Sequence, residues 1–419
     1  MITANMIVKS LLIKNGLVAD CNGETRADVL IDNGLIAQVG RITEPPGGEF
    51  EVIDARGNAV MPAFVDLHCH LRDPGLTRKE DVASGCRAAA AGGYTTLVAM
   101  ANTAPPCATL AAAGDVMRRG AELGLCDISQ CVCFTENFDG RTLNHLDRLF
   151  AEDPGGQVGF VSDDGCGVAS GAVFYEGLNK CADAGRTLLI HAEDREFSGV
   201  DAAAAEDLET LRDVYLIEKI LAEKPAARAH FCHVSTRKSA EAIIAARRRG
   251  ARITFEVTPH HIALNDGVKY RVNPPLRPES DRRFLIDCAK GGFAGAIATD
   301  HAPHTPADKA GGAPGMVGLE TAFPVCYSVL VLENGLTLSA LSNLMSRGPA
   351  RIMGVNKGEI APGFIGDIVI ADINTRHAVD SARFYSKGRN TPFEGGEYRG
   401  AVLCTVKGGQ IVYRSEGFN

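Results

Sequence analysis

The sequence predicts an α/β fold, a (β/α)8 barrel of the TIM type carrying a small β-sandwich-like domain formed by both termini. Three observations predict it. Eight apolar, β-like runs fill the middle of the chain and alternate with Ala-rich, helix-favouring stretches. Most of those runs end in a titratable or amide side chain. Both ends of the chain are instead strand-like and punctuated by glycine turns. An open, doubly wound sheet is the alternative for the same alternation.

The elements follow in chain order. Over residues 1–58, "SLLIKNGLVAD", "ADVLIDNGLIAQVG" and "FEVIDARGNAVMPA" are apolar runs broken by Asn-Gly and Gly signals, and they predict hairpins. The opening "MITANMIVKSLLIKNG" has no basic region ahead of its apolar run and no small-residue cleavage site, so it reads as a strand rather than a leader. The barrel is expected over 59–355. Its eight runs are "AFVDLHCHL", "YTTLVAMAN", "DISQCVCFT", "QVGFVSDD", "RTLLIHAED", "RAHFCHVST", "RITFEVTPHH" and "FAGAIATDHAPH". Between them, stretches such as "EDVASGCRAAAAGG" and "TRKSAEAIIAARRRG" fit helices closed by glycine. Over 356–419, "GEIAPGFIGDIVIADI" and "RGAVLCTVKGGQIVYRSEG" return to strands and glycine turns.

Bulk properties exclude several function classes. The net charge of −8 and the absence of Trp argue against a nucleic-acid surface, which needs a basic face. No apolar run reaches the length of a membrane span. The thirteen cysteines are scattered, several of them in apolar runs, which predicts reduced, buried thiols in a cytoplasmic protein. Cys131 and Cys133 form C-x-C, but no second pair supports a zinc knuckle.

In a barrel, the polar strand ends converge at the C-terminal rim, where active sites lie. Residues i and i+2 of a strand share a face, so His68 and His70 point together into the mouth, while Leu67 and Cys69 face the helices. Two imidazoles on one face suit a cation such as Zn²⁺. Asp66 shares their parity and could support them. His191, His233 and Asp300 each stand at the end of another run. Any one of them alone reads as an ordinary core residue; together with His-x-His they form a ligand set too large for one tetrahedral ion. "GFVSDDG" offers Asp163 or Asp164 as a shared anionic ligand, and parity does not choose between them.

These residues resemble the amidohydrolase superfamily and, within it, the dihydroorotases of the longer, class I bacterial type. "VDLHCHLRDPG", "RAAAAGGYTTLVAMANT", "SDDG", "CHVST", "NPPLR", "TDHAPH", "VGLETAF" and "KGRNTPFEG" match segments of that family in order, from about Leu11 onward. The resemblance implies one metal held by His68, His70 and Asp300, a second by His191 and His233, and Asp164 as the bridge. Many relatives bridge with a carbamylated lysine, but "GGQVGFVSDDG" contains none. It further implies that Arg72, Asn102 and His304 grip a substrate carboxylate. Asn273 would bond the ring amide, and Gly315 would offer backbone groups to the ring. Arg72 could otherwise pair at the surface with Asp73 or Glu80, and Asn102 and Asn273 could be loop caps. The chain departs from the family at Ala101, where proline is usual. A shorter "DKAGGAPGMVGLE" also places Pro314 where an aromatic usually precedes the glycine.

The reaction so implied is reversible cyclisation of N-carbamoyl-L-aspartate to L-dihydroorotate plus water, a step of de novo pyrimidine (UMP) biosynthesis. Its small-molecule substrate would meet a metal-bridging hydroxide, with Asp300 as acid and base. Two Zn²⁺ per subunit are expected, with one as the alternative, in a homodimer without nucleic-acid or membrane partners. Two rival readings are another cyclic amidase (hydantoinase or allantoinase) and a silent homologue that acts as scaffold for aspartate transcarbamoylase. An active enzyme could also take that partner.

Overall fold

The computed structural model describes residues 10–43 and 50–418. Residues 1–9 and 44–49 of the predicted terminal β region lie outside them. The eight central runs all form strands, and their neighbours pair in parallel around a closed ring. The third run is split. Asp127–Gln130 pairs with the second barrel strand, Tyr94–Ala99, whereas Val132–Cys133 pairs with the fourth, Phe160–Ser162. The ring closes where the first strand, Phe64–Cys69, meets the chain beyond the eighth, Ala296–Ile297. There Cys69 bridges His301, and His70 N–H donates to the His301 carbonyl at 2.9 Å.

Helices form where alanine-rich sequence meets capping residues. Val82–Ala91 is opened by Asp81, whose carboxylate accepts from Ser84 N–H, and Arg237–Arg248 is opened by Thr236 in the same way. Gly93 (φ 87°) and Gly250 (φ 103°) follow their ends in the left-handed region that glycine adopts without strain.

Both termini build one eight-stranded sheet. Its strands show period-two burial on two fronts. Val60, Ile368 and Ile370 enter a core that draws residues from every strand of the sheet. Their neighbours Ala59, Met61, Val369 and Ala371 pack into the barrel core instead. The sheet is thereby fused to the barrel, and each large aliphatic buried there contributes roughly 2 kcal/mol. Ala59–Pro62 pairs with Ser10–Asp20 and with Ile368–Ala378, so the sheet extends to residue 62, past the expected boundary at 58.

Two of the predicted hairpins are not hairpins. Asn15-Gly16 lies within the single strand Ser10–Asp20, as a bulge between Ile13 and Gly16. Partners flank that strand on both sides, so it has no room to reverse. A Cβ at Gly16 would meet Val60 Cγ2 at 2.4 Å. Arg56-Gly57 is a matching kink. Phe50–Asp54 and Ala59–Pro62 both run parallel to Ser10–Asp20, and Gly57 N–H donates to Asn15 O at 2.8 Å. Asn33-Gly34 does turn between antiparallel strands, as predicted.

All thirteen cysteines are free, and all but Cys21 and Cys166 are buried. Among the described residues, no helix is long and apolar enough to cross a membrane.

Candidate metal centre and anion pocket

The strand ends bring the predicted ligands together. His68, His70, Asp164, His191, His233 and Asp300 are each at most 5% exposed. One oxygen of Asp164, Oδ1, lies 3.2 Å from His68 Nε2 and 3.3 Å from both His191 Nδ1 and His233 Nε2. Its other oxygen faces His70 Nε2 at 3.5 Å. Asp300 Oδ1 is 3.2 Å from His70 Nε2 and 3.7 Å from His68 Nε2. Asp163 is turned away. Its carboxylate accepts from the N–H groups of Phe134 and Thr135, both at 2.9 Å, and from the Thr135 hydroxyl, which leaves Asp164 alone of the pair in the cluster.

The donor set fits metal ions. Among the described residues, His68 Nε2 is fully buried and makes no hydrogen bond, although it points at two carboxylates. A cation between them resolves that conflict. Among the described residues, three groups of ligand atoms are close enough to hold an ion: His68, Asp164 and His233; His68, His70 and Asp300; and, on the Nδ1 side of His68, His68 with Cys232 and Glu256. The electrostatics agree. Burial lowers the His191 pKa, but Asp164 and Glu193 outweigh it and carry it up to about 10. Burial raises the Asp164 carboxyl, but His68, His191 and His233 hold it well below the usual range. The cluster thus attracts positive charge, as protons or as metal.

Residues behind the ligands fix their orientation. Glu256 Oε1 takes the Nδ1 side of His68 at 3.1 Å, and its Oε2 takes His230 Nε2 at 2.9 Å. With Nδ1 protonated toward Glu256, Nε2 is left as the nitrogen that could coordinate an ion. Sequence reading missed Glu256. Its signal was a lone carboxylate inside the apolar run "ITFEV". Asn102 does the same for His70, accepting at Oδ1 from Nδ1 at 2.8 Å, while its Nδ2 lies 3.3 Å from Asp164 Oδ2. It is therefore drawn inward, toward the ligands. Asp66 accepts from Thr299 N–H at 2.9 Å and from the Thr299 hydroxyl at 2.6 Å. It ties the first strand to the residue before Asp300, and it accepts from the His68 backbone N–H at 3.3 Å rather than from its ring.

Three of these residues hold strained backbone. Arg72 (φ 58°), His233 (φ 34°) and Asp300 (φ 46°) occupy the left-handed region that side chains disfavour. The bend at Arg72 carries it off the strand line and over the mouth. It is not a surface salt bridge: Asp73 pairs with Arg119 at 2.7 Å, and Glu80 contacts His301 at 3.2 Å. Arg72 Nε instead donates to Pro303 O at 3.4 Å, and Nη2 lies 3.3 Å from His304 Nε2. Burial and the charges of Arg72, Lys79 and Lys309 push the His304 pKa down to about 3, so the ring is neutral.

The loop after the eighth strand is held by Asn390, from the "GRNTPF" segment. Its Nδ2 donates to Ala302 O and Gly315 O, both at 3.1 Å, and its Oδ1 accepts from His304 N–H at 3.0 Å. Gly315 N–H donates to Arg271 O at 3.0 Å, and its carbonyl also accepts from Lys309 at 2.9 Å. Both backbone groups are thus engaged within the protein rather than turned to a ring. What glycine supplies at this position is space, since a Cβ would meet Ala302 Cβ at 2.7 Å. Asn273 lies across the mouth, donating from Nδ2 to Glu193 Oε2 at 3.0 Å, beside His191.

Comparison with known proteins places this architecture. The model of the amidohydrolase family matches residues 59–412. The dihydroorotase of Clostridium botulinum (strain Eklund 17B / Type B) is 47% identical over 405 residues, covering 96% of this chain and 99% of that protein. The dihydroorotase of Aquifex aeolicus (strain VF5) is 36% identical over 430 residues, covering 96% and 99%. Among solved structures, the L-hydantoinase from Arthrobacter aurescens superposes with a TM-score of 0.86 at 24% identity, covering 98% of this chain and 97% of that one, which speaks to the fold alone. The closed ring of parallel strands, the ligand-bearing strand ends and these matches together show that the chain belongs to the amidohydrolase family, alongside the bacterial dihydroorotases.

Proposed function

We propose that this chain is a dihydroorotase, interconverting N-carbamoyl-L-aspartate and L-dihydroorotate plus water in pyrimidine biosynthesis. The observation that carries the reading is the pairing of a buried His/Asp cluster with a cationic rim. Among the described residues, no carboxylate forms an ion pair with Arg72, and that rim fits a cyclic amide bearing a carboxylate.

His68, His70 and Asp300 would hold one ion, His191 and His233 a second, and Asp164 would be shared between them, with its Oδ1 beside His68, His191 and His233 and its Oδ2 beside His70. Zinc, two per subunit, suits this nitrogen-and-oxygen set. Bound metal supplies a lowered water pKa and polarises the amide carbonyl. The remaining work belongs to side chains. Burial raises the Asp300 carboxyl, but His70, His68 and His233 hold it well below the usual carboxylate range, so it stands ionised as a base. In the hydrolytic direction it takes a proton from the attacking water and delivers it to the ring nitrogen as the C–N bond breaks; cyclisation reverses both transfers. Arg72 and His304 hold the exocyclic carboxylate, with Asn102 adding an amide N–H while its Oδ1 fixes His70. Asn273 meets the ring amide, and Gly315 leaves room for the ring. A homodimer in the cytoplasm, free or bound to aspartate transcarbamoylase, completes the proposal.

The test is turnover of dihydroorotate, hydantoin and allantoin by the isolated chain, with metal content measured on the same sample. Selective turnover of dihydroorotate supports the reading. Preference for hydantoin or allantoin would sink it. Metal-loaded protein inert toward all three, unless aspartate transcarbamoylase restores turnover, would also count against it.

A further inference from the structure

The His304 ring presents a conflict of donors. Its Nε2 lies 3.3 Å from Arg72 Nη2, and its Nδ1 lies 3.3 Å from Lys79 Nζ. Arginine and lysine only donate, and a neutral imidazole has a single accepting nitrogen. One of the two contacts must therefore set N–H against N–H until something accepts from both.

The surroundings decide which. Lys79 lies in the turn after the first barrel strand, with its side chain 13% exposed. Its nearest carboxylate is Asp308 at 3.6 Å, which Arg78 already approaches at 3.0 Å. Nearby Lys309 differs, since its ammonium donates to three carbonyls, Arg271, Ala313 and Gly315. Among the described residues, Lys79 has no such set, and His304 Nδ1 at 3.3 Å is nearer than Asp308. On the opposite edge of the ring, the missing Cβ of Gly315 would have stood 3.4 Å from Nε2. The side of Nε2 away from Lys79 thus carries no side chain from Gly315.

We propose that Lys79 is a positioning residue of the carboxylate pocket: it donates to His304 Nδ1 and fixes the Nε2–H tautomer, so that Nε2–H and Arg72 Nη2–H face one substrate carboxylate together. The inference rests on the dihydroorotase reading and extends it. The carboxylate accepts both hydrogens and removes the clash, so the pocket is arranged for an anion before one arrives. A neutral ring in its place leaves the donors opposed, which makes Lys79 a determinant of acid-over-neutral specificity.

Lys79→Met and Lys79→Arg test it, assayed with dihydroorotate and with its methyl ester, which lacks the anion. Metal content and circular dichroism serve as folding controls. Lys79→Met should raise KM for dihydroorotate about tenfold with kcat within about twofold, and should cut the preference for acid over ester by a similar factor. Lys79→Arg should restore most of both. In ¹⁵N-histidine-labelled protein, with His304 assigned through His304→Gln, the wild type should show Nε2 protonated and Nδ1 bare, and Lys79→Met should mix the tautomers. Equal losses for acid and ester, or an unchanged tautomer in Lys79→Met, overturns the proposal. If the wild type leaves dihydroorotate untouched, the dihydroorotase reading fails, and the nitrogen shifts alone decide the role of Lys79.

Discussion

The metal cluster and the cationic rim share one barrel mouth and are built in opposite ways. The cluster stands at or just past the strand ends, with His233 and Asp300 on left-handed backbone, and its imidazoles face carboxylates at 3.2 to 3.7 Å. The rim stands on loops. Arg72 follows a left-handed bend, and His304 hangs on a loop clamped by Asn390 from the C-terminal segment. The cluster has an excess of acceptors and suits cations; the rim has an excess of donors and suits an anion. In the proposed function, placing them side by side would allow a polarising centre and a carboxylate grip to act on one small ring without neutralising each other.

The largest effect should come from the residue common to chemistry and cluster. Asp300→Ala should lower kcat by about 10³-fold or more, even in samples whose metal content matches the wild type. Near-normal turnover in that variant would remove Asp300 from the proton path. Glu256→Gln attacks the cluster from behind. Loss of the acceptor for His68 and His230 should weaken metal binding about 10- to 100-fold and destabilise the fold by ~3 kcal/mol, read by metal titration and urea unfolding. Unchanged affinity would make Glu256 a packing residue only.

Arg72→Ala should act on the rim alone, raising KM for dihydroorotate about 10- to 100-fold with a much smaller change in kcat. An unaltered KM would break the division between the two regions. The smallest effect is one of pH. Burial raises the Glu256 pKa, but His230 and His68 outweigh it and hold it at about 2, against an ordinary value of 4.5. The stability it contributes is complete above the unfolded value and is lost as pH falls through the folded one. The stability gap between wild type and Glu256→Gln should therefore be widest above about pH 5 and narrow from there toward pH 2. A gap that widens on acidification would contradict the assigned pairing.

How far these regions could be read from sequence follows from how each is held. His68 and His70 were legible because strand parity puts i and i+2 on one face, and the strand exists because its neighbours are apolar. Asp163 and Asp164 were not separable that way. Only the fold shows Thr135 capping the first and three imidazoles around the second. Asn15-Gly16 misled because a hairpin signal and a bulge signal are the same dipeptide, and the two flanking partners that choose between them are remote in sequence.

The sequence by itself determined the barrel, the strand ends that carry the ligands and the chemical type of the site, since these follow from local periodicity and residue type. Tertiary structure alone decided which nitrogen of His68 and of His70 faces the cluster, through Glu256 and Asn102. It also decided that the Gly315 backbone is engaged within the protein and that Lys79 and Asn390 contact His304. Hydrogen-bond partners from distant segments set those outcomes, and no spacing along the chain encodes a distance between loops.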